Sequence, residues 1–349
     1  MRPEEFDYEL PAERVAQRPA PRRDAARLLL LDRASGRLFE ATFACLGEIL
    51  RAGDLLVLND TRVVQARLRA RKPSGGRVEL LLLRRDVASP EGGTWDCLLS
   101  TSKGMQPGTR LEVAADLVAE VAQAPSGGRA LLRFTPADHL EAAIRRHGLM
   151  PLPPYIHRLP QEALEELDRE RYQTVYAAHD GAIAAPTAGL HFTMALLEDL
   201  RRRGVEQAAL TLHVGPGTFQ PVRSPTIEEH IVEPERYRLP AASVEAIEAC
   251  RARGGRVVAV GTTVTRVLEA CAAEDGRLRA GGGWCGLYLR PGHRFRVVDA
   301  LLTNLHLPRS SLLILVAAFA GRERILKAYG EAVRRGFRFY SYGDAMLIL

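Results

Sequence analysis

Four histidines and two carboxylates stand in or beside polar turns where they could hold or pass a proton: His191, His213, His230, His306, Asp60 and Asp344. Imidazole titrates near neutrality and suits either direction of transfer, which favours His191 and His213 among the six. The turns are Asn59-Asp60-Thr61-Arg62, Thr187 to His191, His213 to Thr218, Gly261-Thr262-Thr263, and Thr303 to His306. A ligand carrying both charge and hydrogen-bonding edges would be met there by Asn59, Thr61, Arg62, Thr187, Gly189, Gly215, Gly217, Thr218, Gly261, Thr262, Thr263, Thr303 and Asn304, and outside those turns by Phe192, Phe219, Ser310 and Tyr342. Glycines permit close backbone approach, and helix N-termini at Thr193 and near Thr263 offer free N–H groups to a carboxylate or phosphate. Each turn alone has a plainer role, in which Ser and Thr cap helices and His fixes a loop. Their number points to one pocket.

The elements that must position these turns are legible from patterning. Leu28 to Leu31 and Leu55 to Leu58 read as strands of a sheet covered on both faces. From 67 to 134 the texture changes to short runs, among them Val78 to Leu83, Trp95 to Leu99, Leu111 to Val113 and Ala130 to Phe134, separated by glycine-rich turns. That spacing predicts a small all-β module inserted over 63–150. Pro151-Leu152-Pro153-Pro154-Tyr155 makes a stiff return. Beyond it, strand, polar turn and helix alternate, the sequence form of an α/β domain built from 1–62 and 151–349. Strands are expected at Ala182 to Ala185, Ala208 to His213, Arg256 to Val260 and Val297 to Leu302. Helices are expected after Thr193, over Ala241 to Arg253, after Thr263, and after Ser310. In parallel sheets the carboxyl ends of strands gather on one edge, so turns far apart in sequence should converge there.

Composition narrows the function classes. The chain has 349 residues, a formal charge of +6 and five cysteines without a paired or His-flanked spacing. No disulfide framework or zinc ribbon is implied. The positive charge suits an anionic partner, although lysine occurs only at Lys72, Lys103 and Lys327 and the arginine bias can reflect genome composition. Basic runs at Arg22-Arg23, Arg84-Arg85, Arg201-Arg202-Arg203, Arg334-Arg335 and Arg67 to Lys72 lack interleaved aromatics. Met1 to Glu5 has no secretory h-region and Leu312 to Ala320 is too short to span a bilayer, so no membrane role and a cytoplasmic location are expected. His230 and Glu233 stand at i and i+3, but no HExxH pairing exists and no metal is expected. The string Gly281-x-Gly283-x-x-Gly286 follows a polar loop and leads to Leu287 to Leu289, strand-like in character, which is not the strand-to-helix setting of a dinucleotide site.

Several stretches carry a specific resemblance: Phe6 to Pro11, Asp54 to Val63, Ala185 to Thr193, Thr211 to Gly215, Gly261 to Thr263, Thr303 to Pro308 and Phe339 to Met346. In order and spacing they resemble the S-adenosylmethionine:tRNA ribosyltransferase-isomerases of queuosine biosynthesis, over essentially the whole chain. The resemblance implies a barrel-like α/β main domain with an inserted small β-barrel. It implies S-adenosylmethionine as ribosyl donor and co-substrate, and tRNA carrying 7-aminomethyl-7-deazaguanine as acceptor, giving epoxyqueuosine with release of adenine and methionine. No metal, second cofactor or stable protein partner is implied. Such a reaction needs a base for a ribose C5′ proton acidified by the sulfonium, a proton for departing adenine, and an uncharged attacking amine. A free alkylammonium has a pKa of about 10, so the site must desolvate it or set positive charge beside it.

The chain departs from the family at Glu233, where a second histidine is frequent, and around Trp284-Cys285-Gly286-Leu287-Tyr288, usually a more polar run; Pro216 and Val264-Thr265 are milder changes. Two other readings stand beside the enzymatic one. In the first, a non-catalytic RNA-binding protein uses its β module and arginines. In the second, a metal-dependent hydrolase uses His213, His230 and Glu233.

Overall fold

The computed structural model describes residues 1–85, 93–137, 139–159, 163–219 and 221–349, the side chains of Thr218 and Phe219 excepted. The chain divides into two compact units. One comprises Met1–Arg62, Pro153–Leu159 and Arg171–Leu349, and the other Val63–Leu152 with Pro160–Glu170. The return from the inserted segment is therefore made twice, since 160–170 goes with the smaller unit.

The larger unit holds a nine-stranded mixed sheet. Its strands in chain order are β1 (Arg27–Leu31), β2 (Leu38–Thr42), β3 (Leu55–Asn59), β4 (Glu206–Leu212), β5 (Glu235–Leu239), β6 (Val257–Val260), β7 (Gly281–Cys285), β8 (Ala300–Asn304) and β9 (Ala345–Ile348). Across the sheet they run β7-β5-β4-β3-β6-β8-β9-β1-β2. The central four, β4, β3, β6 and β8, are parallel. Antiparallel strands flank them: β5 against β4, β7 against β5, and β9 against β8. Strand β9 then pairs in parallel with β1.

Alternate residues of the central strands feed two separate cores. Leu55, Val57, Leu210, Leu212, Val257, Ala259 and Leu301 face one, while Leu56, Leu58, Val258, Val260, Ala300 and Leu302 face the other. Every residue of β3, β6 and β8 is buried, as expected of strands covered on both faces. Helix α1 (Met194–Arg202) begins where the Thr193 hydroxyl accepts from the Leu196 N–H, and buries Leu196, Leu197 and Leu200. Helices α2 (Ala241–Ala252) and α3 (Thr262–Cys271) follow at the expected places. Helix α4 (Ser311–Ala320) is capped by Ser310, whose hydroxyl accepts from Leu313 N–H, and α5 (Arg322–Arg334) follows. The glycine string at 281–286 includes strand β7, so it builds no dinucleotide turn.

The smaller unit is a closed barrel of six antiparallel strands, Arg67–Arg71, Arg77–Arg85, Thr94–Leu99, Arg110–Ala114, Leu117–Ser126 and Arg129–Thr135. Leu68 and Ala70 point into its core with Leu80, Leu82, Leu111, Val121 and Leu132. Arg67 and Arg69 alternate with them on the outer face, where Arg67 pairs with Glu79 at 2.6 Å and Arg69 with Glu165 at 3.1 Å. Period-two patterning accounts for this basic run, and part of its charge is neutralised locally.

The start of β3 is pinned to the start of β6 by an ion pair whose carboxylate is buried and whose guanidinium is partly exposed. Asp54 accepts from the Arg256 Nε at 3.0 Å and Nη2 at 2.6 Å, and from the backbone N–H of Arg51 at 2.8 Å and of Arg256 at 3.1 Å. Burial would raise the Asp54 pKa, but Arg256 and these N–H groups hold it below the usual carboxylate value. Asp54→Asn removes the charge opposite Arg256. It should lower unfolding free energy by about 2–4 kcal/mol, measured by urea denaturation, and a variant within 0.5 kcal/mol of wild type would contradict this account.

Candidate active site

The C-terminal ends of β4, β3, β6 and β8 meet on one edge, and three side chains stitch β3 to the end of β4 and to the start of α3. Asn59, wholly buried at the end of β3, donates to the Leu212 carbonyl at 3.0 Å and reaches the Thr263 Oγ1 at 3.4 Å. Its oxygen accepts from the N–H of Leu212 at 3.0 Å and of Thr61 at 3.2 Å. The amide thus ties β3 to the end of β4, to its own following turn, and to the first turn of α3. Asp60 accepts from the Thr211 hydroxyl at 2.6 Å and lies 3.6 Å from His179. Thr61 Oγ1 stands 2.9 Å from His213 Nδ1. Arg62, largely exposed, donates to the Ala177 carbonyl and pairs with Asp180 at 3.3 Å.

His213 lines an open cleft of about 1120 Å³ together with His179, Asp180, Thr211, Arg236, Arg238, Gly281 to Gly283 and Trp284. Its ring lies directly on Gly181, whose φ is +145°; a Cβ there would come within 2.7 Å of Nδ1. Burial lowers the His213 pKa, and Arg236 and His179 push it the same way against Asp60 and Asp180. The imidazole is therefore neutral at pH 7. Gly215 donates from its backbone to Glu235 at 2.7 Å, and Glu235 in turn is paired with Arg266 in the interior. Arg266 also donates to the carbonyls of Cys285 and Leu287, both at 3.1 Å, so one buried guanidinium fixes the turn after β4, strand β7 and helix α3. Gly217 faces Glu233, and the side chains of Thr218 and Phe219 lie outside the described residues.

A second group of candidates is enclosed. His191 contacts Asn304 Nδ2 at 3.4 Å and its ring lies 5.1 Å from that of Phe43. Burial pushes its pKa down to about 3, with Arg338 and Arg23 adding to the effect. His306 pairs with Thr303 Oγ1 at 2.7 Å, and burial brings it also to about 3. The near-neutral titration expected of free imidazole is thus absent at both, because a buried ring cannot hold its charge. Gly189 admits no side chain, since a Cβ would lie 2.1 Å from the Tyr176 hydroxyl and 2.8 Å from Thr174. Asn304 donates to the Tyr340 carbonyl at 2.9 Å, while Asn304 Oδ1, Thr174 Oγ1 and the Tyr176 hydroxyl are buried without a hydrogen-bond partner.

Other candidates have structural employment. Asp344 accepts from the backbone N–H of Arg27 at 3.0 Å and of Arg338 at 2.8 Å, tying the start of β1 to the loop before β9. Phe192 is packed edge-on against Phe43 in the core, and Tyr342 is buried with its ring edge-on to Tyr172. Ser310 caps α4 and donates to the Leu307 carbonyl. Gly261, at φ +98°, turns the chain into α3, beside buried Thr262; Thr187 opens a 3-10 turn ending at His191. His230 is half-buried against Tyr288, and among the described contacts none joins it to the His213 cluster. No group of His, Cys, Asp and Glu among the described residues is placed to hold a metal. Sequence reasoning missed His179, Tyr176, Thr174, Glu235 and Arg266; they stand apart from the polar turns, and only the paired strands bring them in.

A family model described as queuosine biosynthesis protein matches residues 3–348. The chain belongs to this family. Queuosine family relatives match it end to end. One from Geobacter metallireducens, named S-adenosylmethionine:tRNA ribosyltransferase-isomerase, is 52% identical over 348 residues, covering 100% of both chains. One of the same name from Pelobacter propionicus is 53% identical over 344 residues, covering 99% of this chain and 98% of its own. A crystal structure of S-adenosylmethionine tRNA ribosyltransferase from Thermotoga maritima is 38% identical, with a TM-score of 0.56, covering 99% of this chain and 100% of that one.

The buried imidazoles set an acid limit on stability. Each has a folded pKa of about 3, below the unfolded value of about 6.5, so the unfolded chain binds the extra proton. Their contribution is fully present above pH 6.5 and is lost as pH falls towards 3. Within that window each adds a slope of about 1.4 kcal/mol per pH unit. His306→Gln should therefore flatten the dependence of unfolding free energy on pH between about pH 6 and 4 by that amount. An unchanged slope would show that His306 protonates without unfolding the protein.

Proposed function

We propose that this protein is an S-adenosylmethionine:tRNA ribosyltransferase-isomerase, moving the ribosyl group of S-adenosylmethionine onto 7-aminomethyl-7-deazaguanine in tRNA. The products are epoxyqueuosine-tRNA, adenine and methionine. The observation that carries the reading is the meeting of five polar turns at one sheet edge, with a neutral histidine opening onto a basic cleft, in a chain about half identical to relatives of that name along its length. The reaction as written requires no metal and no second cofactor, and a tRNA substrate is in keeping with a cytoplasmic enzyme.

His213 is the group best arranged to take the C5′ proton. The Thr61 hydroxyl reaches the His179 carbonyl at 3.5 Å; with its proton directed there it accepts from His213 Nδ1–H, leaving Nε2 as the free acceptor. Gly181 beneath the ring and the Asn59 clamp beside it fix that orientation. Arg236 disfavours imidazolium and by the same field disfavours an ammonium, so it helps keep an incoming amine uncharged. His191 and His306, neutral and enclosed, position Asn304 and Thr303 and carry no proton between partners at pH 7.

The RNA-binding alternative lacks a use for a histidine so held. The hydrolase alternative requires His213 and His230 in one ligand set, and no described contact joins them. The test is adenine release from S-adenosylmethionine on addition of an anticodon stem-loop bearing the modified base. His213→Gln should lower kcat by about 10²–10⁴-fold, the range of a lost general base. In the wild type, kcat/KM should fall with decreasing pH, with a midpoint below the usual histidine value of about 6.5, since protonation removes the acceptor. Absence of adenine release by the wild type would refute the activity; an unimpaired His213→Gln enzyme would remove His213 from the role of base.

A further inference from the structure

Strand β7 ends the sheet and, with β5, presents an exposed face that joins arginine to tryptophan. The registers align His213 with Arg236 and Arg236 with Trp284 in one cross-strand row, and Thr211 with Arg238 and Arg238 with Gly282 in the next. Arg236, Arg238, Gly282 and Trp284 are exposed on that face, whereas Glu235, Leu239 and Cys285 of the same two strands are buried. Trp284 is 61% exposed, the largest aromatic ring so displayed. Gly282, two residues away on the same side, has no side chain to shade it. Neither arginine forms an ion pair with any described residue, so both keep their charge for a partner.

We propose that Trp284 is a stacking platform for an unpaired RNA base next to the reacting nucleotide, with Arg236 and Arg238 taking the flanking phosphates. This rests on the reading of the protein as a tRNA-modifying enzyme and names a subsite for that substrate. Direct base stacking on an aromatic side chain, with arginines tracking the backbone, is the way single-stranded loops are held without dependence on sequence. The row runs from Trp284 through Arg236 to His213 in steps of about 5 Å. A base on the tryptophan and a nucleotide at the histidine therefore sit about one to two nucleotides apart. The donor's adenine is the other base able to stack, but it brings no phosphate to two unpaired guanidinium groups.

Trp95 and Trp284 are the only tryptophans, so Trp95→Phe leaves Trp284 as the single tryptophan, excited selectively over tyrosine at the red edge of the indole band. An anticodon stem-loop should quench its emission, and S-adenosylmethionine alone should not. Trp284→Ala should weaken stem-loop binding and raise the KM for RNA roughly 5- to 150-fold, with Trp284→Phe restoring most of it. Arg238→Gln should reduce the slope of log affinity against log salt by about 0.7. Quenching without adenine release in the wild type would sink the proposed activity and support the platform. Adenine release without quenching, with Trp284→Ala binding RNA as wild type does, would overturn the platform alone. Quenching by S-adenosylmethionine by itself, or a concentration-dependent dimer abolished by Trp284→Ala in sedimentation, would overturn it as well.

Discussion

A primary amide buried at the end of β3 has to find partners for its donors and its acceptor, and at Asn59 these come from three different parts of the chain. Water cannot substitute in a wholly enclosed position, where an unmet polar group costs about 1–3 kcal/mol. The strand ends are therefore not merely adjacent. They are held in one register, and with them the turns that carry Thr61, His213 and Thr263. At the opposite end of the same strand Asp54 does the equivalent work with a charge. The central parallel strands are pinned at both ends, and what lies on their carboxyl edge inherits that rigidity.

The edge divides into a wet part and a dry part. His213, His179 and Asp180 stand by the open cleft, whereas His191, His306 and Asn304 are enclosed in the protein. The same residue type consequently does two kinds of work. An imidazole in the cleft, held neutral yet reachable, can accept a proton; one sealed between Phe43 and Asn304 acts as a shaped hydrogen-bonding wall. Arginine shows the same division: Arg266 is buried with Glu235 and braces the turns, while Arg236 faces solvent and sets the field around His213.

Much of this was written in local sequence. The apolar runs gave β3 and β6, period-two alternation marked the inserted strands, and Thr193 and Ser310 announced their helices by residue type. Convergence of the turns followed from parallel topology alone. What sequence could not reveal depends on burial, which is a property of the assembled fold. His191 and His213 look alike in the chain, yet one is enclosed and the other opens onto a cleft. Asp344 and Ser310 have the chemistry of ligand contacts, but backbone N–H groups and a helix end claim them. Tyr176 and Thr174 sit in no motif, and their place beside Gly189 is decided by a close approach between segments.

The position of β9 bears on how the protein is made. Strands β1 and β2 are synthesised well before β9, yet among the described residues they join the rest of the sheet through β9 alone. During translation this early hairpin has an unpaired edge for as long as the intervening strands take to emerge, an interval in which it is open to mispairing with neighbouring nascent chains. The ordering makes β9 a latch. Until Ala345–Ile348 thread between Ala300–Asn304 and Arg27–Leu31, the sheet remains in two pieces.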